Sequence, residues 1–313
     1  MAPFPTLRIG TRGSPLALIQ ANQVRAGLIG AGADPDGLEI VAIRSSGDQV
    51  RDRALADIGG KGLFTKELDE ALLEDRIDLA VHSMKDVPTW LLPALAIAAL
   101  LPRADPRDVL MVASRLGAIR RIADLPRGAI VGTAAVRRQA QLLHQRPDLE
   151  IVLLRGNVGT RLAKLEAGEL DATLLALAGL RRLDITVPDD AILAPDALLP
   201  AVAQGAIGVV TRSDDTTTRA LVARLDDRAT RIAVTAERAM LELLDGSCRT
   251  PIGGLATLDG AHLRLDGLVA TPDGSALHRH RERGSADEPV ALGRAVGTVL
   301  RDAAGPGFFR ESA

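Results

Sequence analysis

The sequence predicts an α/β protein of two similar lobes with a cleft between them, followed by a smaller C-terminal α+β domain. Three observations carry that reading. Strand-like apolar runs alternate with helical apolar spacing from Leu7 to Val210, the order that builds open α/β sheets. The strand–turn–helix start Ile9-Gly10-Thr11 returns as Val131-Gly132-Thr133 at the head of a second unit. From about Leu225 the pattern changes to one helix, three alternating segments and a last helix.

Taken in order, Leu7–Ile9 reads as a strand and Thr11-Arg12-Gly13 as a turn. Ser14-Pro15 gives an N-cap with Pro at the first helical position, ahead of helical spacing over Leu16–Leu28. Leu38–Ile43 is a strand, and the polar stretch Arg44–Lys61 has the length of a lid or mobile binding segment. Phe64–Asp75 is a helix and Ile77–Val81 the next strand. Leu101–Pro106 marks a crossing between domains. The second unit has strands at Ala129–Val131, Glu150–Leu154 and Asp171–Leu177, with helices at Ala135–Gln145 and Thr160–Ala167. After the Pro-bearing stretch Asp184–Pro200, Gln204-Gly205 leads into a strand over Ala206–Val210. The tail reads as a helix over Thr230–Leu244, a meander at Leu255–Leu258, Leu263–Val269 and Ala276–Arg281, and a helix over Val290–Ala303.

Composition narrows the function. With 313 residues and 47% apolar content the chain is long enough for two or three domains with a sizeable core. It has no Tyr, one Trp and four Phe, so the core is aliphatic and aromatic stacking on nucleic acid is not expected. The net charge of −2 offers no attraction to nucleic acid or membrane surfaces. The most apolar run, Leu91–Leu101, is broken by Pro93 and too short to span a bilayer. A single cysteine, Cys248, allows no internal disulfide, and the N-terminus shows no export signal; a cytoplasmic location follows as the expectation.

Candidate chemistry collects at Asp78–Pro88. A buried strand turns polar at once, delivering His82, Ser83, Lys85 and Asp86 where open sheets place their sites; a satisfied ion pair in a strand-to-loop corner is the alternative. Four lysines stand against thirty-four arginines, and Lys61, Lys66 and Lys85 lie in or near this stretch. A compact ammonium at a tight anion site would explain that, as would chance in an Arg-rich chain. Three strand–turn–helix junctions carry Arg12, then Arg137 and Arg138, then Arg155 and Arg161. Helix N-termini plus guanidinium groups suit carboxylates or phosphates, and no nucleotide fingerprint is present, so the cleft reads as one for a polyanion. Cys248 follows a helix C-terminus, which does not lower a thiol pKa; an inert loop cysteine and an attachment point used once both fit. His278 and His280 have no third ligand in view, so no metal site is expected.

Several motifs, in order, resemble the porphobilinogen deaminase family over nearly the whole chain. They are Thr11-Arg12-Gly13-Ser14-Pro15-Leu16-Ala17, Gly59-Gly60-Lys61-Gly62-Leu63-Phe64, Val81-His82-Ser83-Met84-Lys85-Asp86-Val87-Pro88, Leu154-Arg155-Gly156-Asn157-Val158-Gly159-Thr160-Arg161 and Gln204-Gly205-Ala206. The resemblance implies two periplasmic-binding-protein-like lobes and a third domain, divided as residues 1–102 with 203–222, residues 103–202, and residues 223–313. It implies a dipyrromethane cofactor held by Cys248 through a thioether, head-to-tail joining of four porphobilinogens with loss of ammonia, and release of a linear tetrapyrrole by water. It implies Asp86 as the catalytic carboxylate. Cofactor contacts would be Lys85, Ser83, Thr133, Arg137, Arg138, Arg155 and Gly156, and substrate contacts Arg12, Ser14, Lys61, Phe64, Arg161 and Gln204. A monomer without nucleic-acid or membrane partners is expected. Two departures stand out: Gly132-Thr133-Ala134-Ala135 replaces the usual Gly-Thr-Ser-Ser, and Asp57 replaces a frequent lid lysine. The rival reading is a non-catalytic two-lobe anion-binding protein.

Overall fold

The structure, a computed structural model, describes residues 6–45, 62, 64–244, 250–305 and 308. Its strands are β1 (Leu7–Arg12), β2 (Leu38–Ile43), β3 (Leu79–Ser83), β4 (Leu95–Leu100), β5 (Asp108–Val112), β6 (Ile130–Gly132), β7 (Glu150–Val152), β8 (Ala172–Ala176), β9 (Ile207–Arg212), β10 (Ile252–Asp259), β11 (His262–Ala270) and β12 (Leu277–Ser285). They form three sheets, ordered β2-β1-β3-β9-β4, β5-β8-β6-β7 and β10-β11-β12.

The first two sheets repeat one plan. In the first, β1 lies parallel between β2 and β3, and β9 runs antiparallel beside β3. In the second, β6 lies parallel between β7 and β8, and β5 runs antiparallel beside β8. The short sequence echo marks the equivalence: Gly10 pairs with Ala80 as Gly132 pairs with Thr173. Both glycines are needed for one reason. A Cβ at Gly10 would sit 2.3 Å from Ile77 Cδ1, and one at Gly132 would sit 2.9 Å from Leu154 Cδ2. In each lobe a neighbouring side chain crosses directly over the middle one of the three parallel strands.

Both faces of the first sheet are covered, which is why its strands are almost continuously apolar. Ile9, Leu79, Val81 and Val209 pack with Ala21, Val24 and Leu28 of the helix Pro15–Gly30. Ala80 and Val210 pack on the other face with Leu68, Ala71 and Leu72 of the helix Lys66–Leu73. Each Val, Leu or Ile among them contributes about 1.5–3 kcal/mol when buried. Ser14 caps the first helix as its sequence predicts, with Oγ accepting from Ala17 N at 3.3 Å and Pro15 leading the first turn.

Several expected boundaries move for identifiable reasons. Thr11 and Arg12 continue β1 rather than turning. β3 starts at Leu79, because Asp78 is tied down before it: Asp78 N donates to Arg8 O, and its carboxylate accepts from Arg8 N, Nε and Nη2 at 2.7–3.0 Å. The strand then runs through His82 and Ser83, and Met84–Asp86 forms a single 3₁₀ turn. The third arginine-bearing helix begins at Val158 rather than Thr160, since Asn157 Oδ1 caps it by accepting from Thr160 N at 2.9 Å.

The C-terminal antiparallel sheet is covered by the helices Arg228–Leu243 and Pro289–Ala304. Its core reaches out of its own sheet. Met84 and Val87, on either side of the Lys85-Asp86 pair, pack in the same cluster as Ile232, Ala236, Met240, Leu265 and Val296. Fully buried Glu237 on the first of these helices accepts from Arg103, Ala203 N and Ala256 N, joining both interlobe crossings to the C-terminal domain.

Candidate active site

The parallel strands of both lobes end at one cleft, and the predicted residues sit on those ends. Arg12 closes β1, and its Nη1 lies 3.8 Å from Asp86 Oδ2. Its guanidinium carbon stands 4.2 Å over the Phe64 ring, a cation–π contact that fixes its plane. Ser83 ends β3, its Oγ 2.8 Å from Gln20 Nε2. Ser14 is engaged in its capping role.

Beside Asp86, Lys85 is ringed by protein while its side chain keeps open surface. Partial loss of water is the first cause that lowers its ammonium below the ordinary lysine value; Asp86 opposes this and Arg138 adds to it. Lys85 Nζ donates to Gln204 Oε1 at 3.4 Å, which links the first lobe to a residue on the crossing between lobes. His82, four residues before Asp86, is buried and held neutral. Burial, then the Arg12 charge, lowers its imidazolium to about 4.

In the second lobe, Thr133 is buried after β6 and its Oγ1 accepts from Ala135 N at 3.1 Å. The helix Val136–Gln145 follows with Arg137 and Arg138 in its first turn and no acidic residue there. Cations at a helix N-terminus oppose the macrodipole by roughly 0.3–1 kcal/mol each, so a counter-charge is required. It comes from Asp108, fully buried at the start of β5: Oδ2 accepts from Arg137 Nη2 at 2.8 Å and Oδ1 from Arg138 Nη2 at 2.7 Å. Burial alone would raise the Asp108 pKa; the two guanidinium groups, with Gln204, hold it well below the usual carboxylate range.

Arg155 and Gly156 lie between β7 and the helix Val158–Glu166. Gly156 has φ of 111°, and a Cβ there would meet Thr160 Cβ at 2.9 Å, so the turn demands glycine. Its carbonyl accepts from Arg161 Nε at 2.9 Å. Burial, then the charges of Arg138 and Arg155, lowers the Arg161 guanidinium to about 10, with Asp86 opposing. These groups are therefore close enough to repel one another, as a site awaiting anions requires. Lys61 and Cys248, with Asp57 and most of the expected lid, lie outside the described residues.

Asp108 and Arg238 escaped the sequence reading. Asp108 carried one signal: a carboxylate opening the apolar run Val109–Val112 needs a partner. Arg238 carried none. From the C-terminal domain it donates to the carbonyls of Val87, Pro88 and Thr89 at 3.0, 2.6 and 3.2 Å, clamping the segment after Asp86.

Comparison with known proteins settles the family. Residues 7–220 match the porphobilinogen deaminase dipyromethane cofactor binding domain, and residues 231–302 match the porphobilinogen deaminase C-terminal domain. The chain belongs to the porphobilinogen deaminase family. Among its relatives, the porphobilinogen deaminase of Nitrobacter hamburgensis is 51% identical over 96% of this chain and 94% of its own length. That of Paracoccus denitrificans is 50% identical over 98% and 97%, and the chloroplastic enzyme of Oryza sativa subsp. japonica 49% over 98% and 87%. Solved structures that resemble it include the Bordetella pertussis BvgS VFT2 domain, with 15% identity, TM-score 0.42 and coverage of 72% of this chain and 87% of that one. A periplasmic binding protein from Brucella ovis aligns with 18% identity, TM-score 0.40 and coverage of 76% and 68%. Family membership makes this chain a transferase of tetrapyrrole biosynthesis with hydroxymethylbilane synthase activity and a dipyrromethane cofactor; the rival reading of a non-catalytic binding protein is not favoured.

Proposed function

We propose that Asp86 is the catalytic carboxylate of this hydroxymethylbilane synthase and Cys248 the point of cofactor attachment. The observation that carries the first assignment is the placement of Asp86. It is one end of a long ion pair with Arg12, in a turn between the two lobes' cationic groups. Loss of ammonia from porphobilinogen leaves positive charge delocalised toward the pyrrole nitrogen. A carboxylate fixed beside that N–H stabilises the charge as it develops and can accept the proton. Arg12 and Phe64 hold one wall; Arg161 and Gln204 would face the carboxylates that each substrate pyrrole carries.

When bound, the dipyrromethane supplies the primer to which substrate pyrroles are joined. The residues present suit such a group. Arg138 Nε is buried without a hydrogen-bond partner among the described residues, a donor directed at no protein acceptor, in a cluster rich in cations. Arg137, Arg138, Arg155, Lys85, Ser83, Thr133 and the Gly156 backbone would hold it. The division into residues 1–102 with 203–222, residues 103–202 and residues 223–313 is supported by the grouping of strands into three sheets. We take the working form as a cytoplasmic monomer without nucleic-acid partners, on the single cysteine and the near-neutral charge. Among the described residues no helix is long and apolar enough to cross a membrane.

Intact-protein mass spectrometry tests the attachment. Active protein should carry a dipyrromethane-sized increment that disappears in Cys248→Ser. An unmodified mass for active protein would overturn it.

A further inference from the structure

We propose that Asp108 is a positioning residue that presets Arg137, Arg138 and Gln204 to receive cofactor carboxylates. The inference rests on the reading of Arg137 and Arg138 as cofactor contacts. Asp108 begins β5, opposite Ala176 on β8, with no exposed surface. Oδ1 accepts from Arg138 Nη2 at 2.7 Å and from Gln204 Nε2 at 2.9 Å; Oδ2 accepts from Arg137 Nη2 at 2.8 Å. Gln204 is held further by donating to Pro106 O at 2.7 Å, and it receives Lys85 Nζ. One carboxylate thereby ties both arginines of the second lobe to both crossings and, through Gln204, to the residue beside Asp86.

The two arginines are left in different states. Arg137 also donates through Nη1 to Leu199 O at 2.6 Å, so both of its terminal nitrogens are engaged. Arg138 keeps Nε buried and without a partner among the described residues. Asp108 thus holds the guanidinium of Arg138 in place without satisfying it. Two positive charges face one negative charge, so the cluster remains attractive to an anion while its side chains are already ordered. An arriving carboxylate does not have to order them, which favours binding.

This role and simple charge balance predict opposite signs. If Asp108 acted only as a negative charge, Asp108→Asn would make the cleft more positive and cofactor capture more complete. As a positioning residue, its loss makes capture worse although the charge change favours anions. Asp108→Glu sharpens the contrast, because it keeps the charge and shifts the carboxylate by one methylene. The experiment purifies full-length parent, Asp108→Asn, Asp108→Glu and Arg138→Lys. It measures the fraction carrying the cofactor by intact mass, its rate of loading when apoprotein is given porphobilinogen, and kcat per loaded molecule. Both Asp108 variants should load slower by about tenfold to a hundredfold, the scale for a displaced arginine clamp, a larger fall than any in kcat per loaded molecule. Faster loading in Asp108→Asn, or parent-like loading in Asp108→Glu, overturns the proposal. Normal loading in Arg138→Lys overturns instead the underlying assignment of Arg138.

A measurement on the unaltered chain covers the case in which neither Asp108 variant folds. In ¹⁵N-arginine apoprotein, the Nε–H signal missing from Arg138→Lys should exchange slowly with water and shift on loading. Rapid exchange before loading means that Arg138 is not held, and the proposal fails.

Discussion

The two lobes share a strand plan but not its polar groups. Matching Gly10 to Gly132 places His82 opposite Leu175 in the comparison, Ser83 opposite Ala176 and Arg12 opposite Ala134. On the antiparallel neighbour, Ile207 of the first lobe corresponds to Asp108 of the second, since they pair with Ser83 and Ala176. Each lobe thus brings one carboxylate to the cleft from a different position and in a different state. Asp86 keeps 29% of its side-chain surface and meets Arg12 at 3.8 Å; Asp108 keeps none and meets two arginines at 2.7–2.8 Å. A loosely paired, wet carboxylate is free to answer charge that appears during a reaction. A buried one gripped on both oxygens can only hold its partners. On the proposed reading, chemistry falls to the first lobe and grip to the second.

The largest expected effect breaks the comparison at Asp86. Asp86→Asn keeps the size and loses the charge opposite the developing cation. Turnover should fall by about a hundredfold to a thousandfold, the scale for losing one preorganised electrostatic partner. Stability should change by less than about 1 kcal/mol, since a long, partly exposed ion pair contributes little. The equivalent cut at Asp108 leaves two buried arginines short of a partner and should cost roughly 3–5 kcal/mol of stability. Porphobilinogen consumption and denaturant melts on the two variants check both statements. Near-parent turnover in Asp86→Asn would remove Asp86 from the centre of the mechanism.

How much of this was legible in the sequence follows the range of each interaction. The Ser14-Pro15 cap and the strand Leu38–Ile43 are local, and the structure places them where local chemistry does. β4 lies inside Leu91–Leu101, where an apolar run by itself does not separate strand from buried loop. The grip on Arg137 and Arg138 comes from 29 and 30 residues away, that on Gln204 from 96, and Arg238 reaches back about 150. No spacing rule reports such partners. The resemblance named the arginines but not the group that orders them.

The next effect is in pH. His82 is buried with Nε2 unpartnered among the described residues, whereas its counterpart in the second lobe is Leu175. Its folded pKa is lowered to about 4 from 6.5. Between those values the unfolded chain binds the proton and the folded chain does not. Stability is therefore full above about pH 6.5 and is lost as pH falls toward 4, by about 2–3 kcal/mol from this group. Denaturant melts at pH 7 and pH 5 should show the loss in the parent and a flatter response in His82→Leu. Identical acid responses in both proteins would mean that His82 is accommodated as a cation in the fold.

The smallest effect sharpens the comparison where Arg12 faces its counterpart Ala134. In the family pattern residues 134 and 135 are serines. Here Ala135 is the N-cap of the helix Val136–Gln145 and offers no side-chain cap, while Thr133 Oγ1 accepts the Ala135 N–H. The two positions should therefore respond differently. Ala135→Ser adds a capping oxygen, contributing about 0.5–1 kcal/mol to stability, and should raise the melting temperature. Ala134→Ser adds a hydroxyl without a capping role, so its gain should show in cofactor loading and not in melting. A hydrogen bond to a charged group contributes roughly 1.5–3 kcal/mol, but water can replace part of a missing contact. The loading gain in the double variant should then be a few-fold, with kcat per loaded molecule unchanged because Asp86 is untouched. Reconstituting apoprotein of the two single variants and the double variant with porphobilinogen, beside melts of each, separates capping from capture. Slower loading in the double variant would show that the hydroxyls compete for the helix N–H groups that Ala134 and Ala135 leave open to the carboxylate.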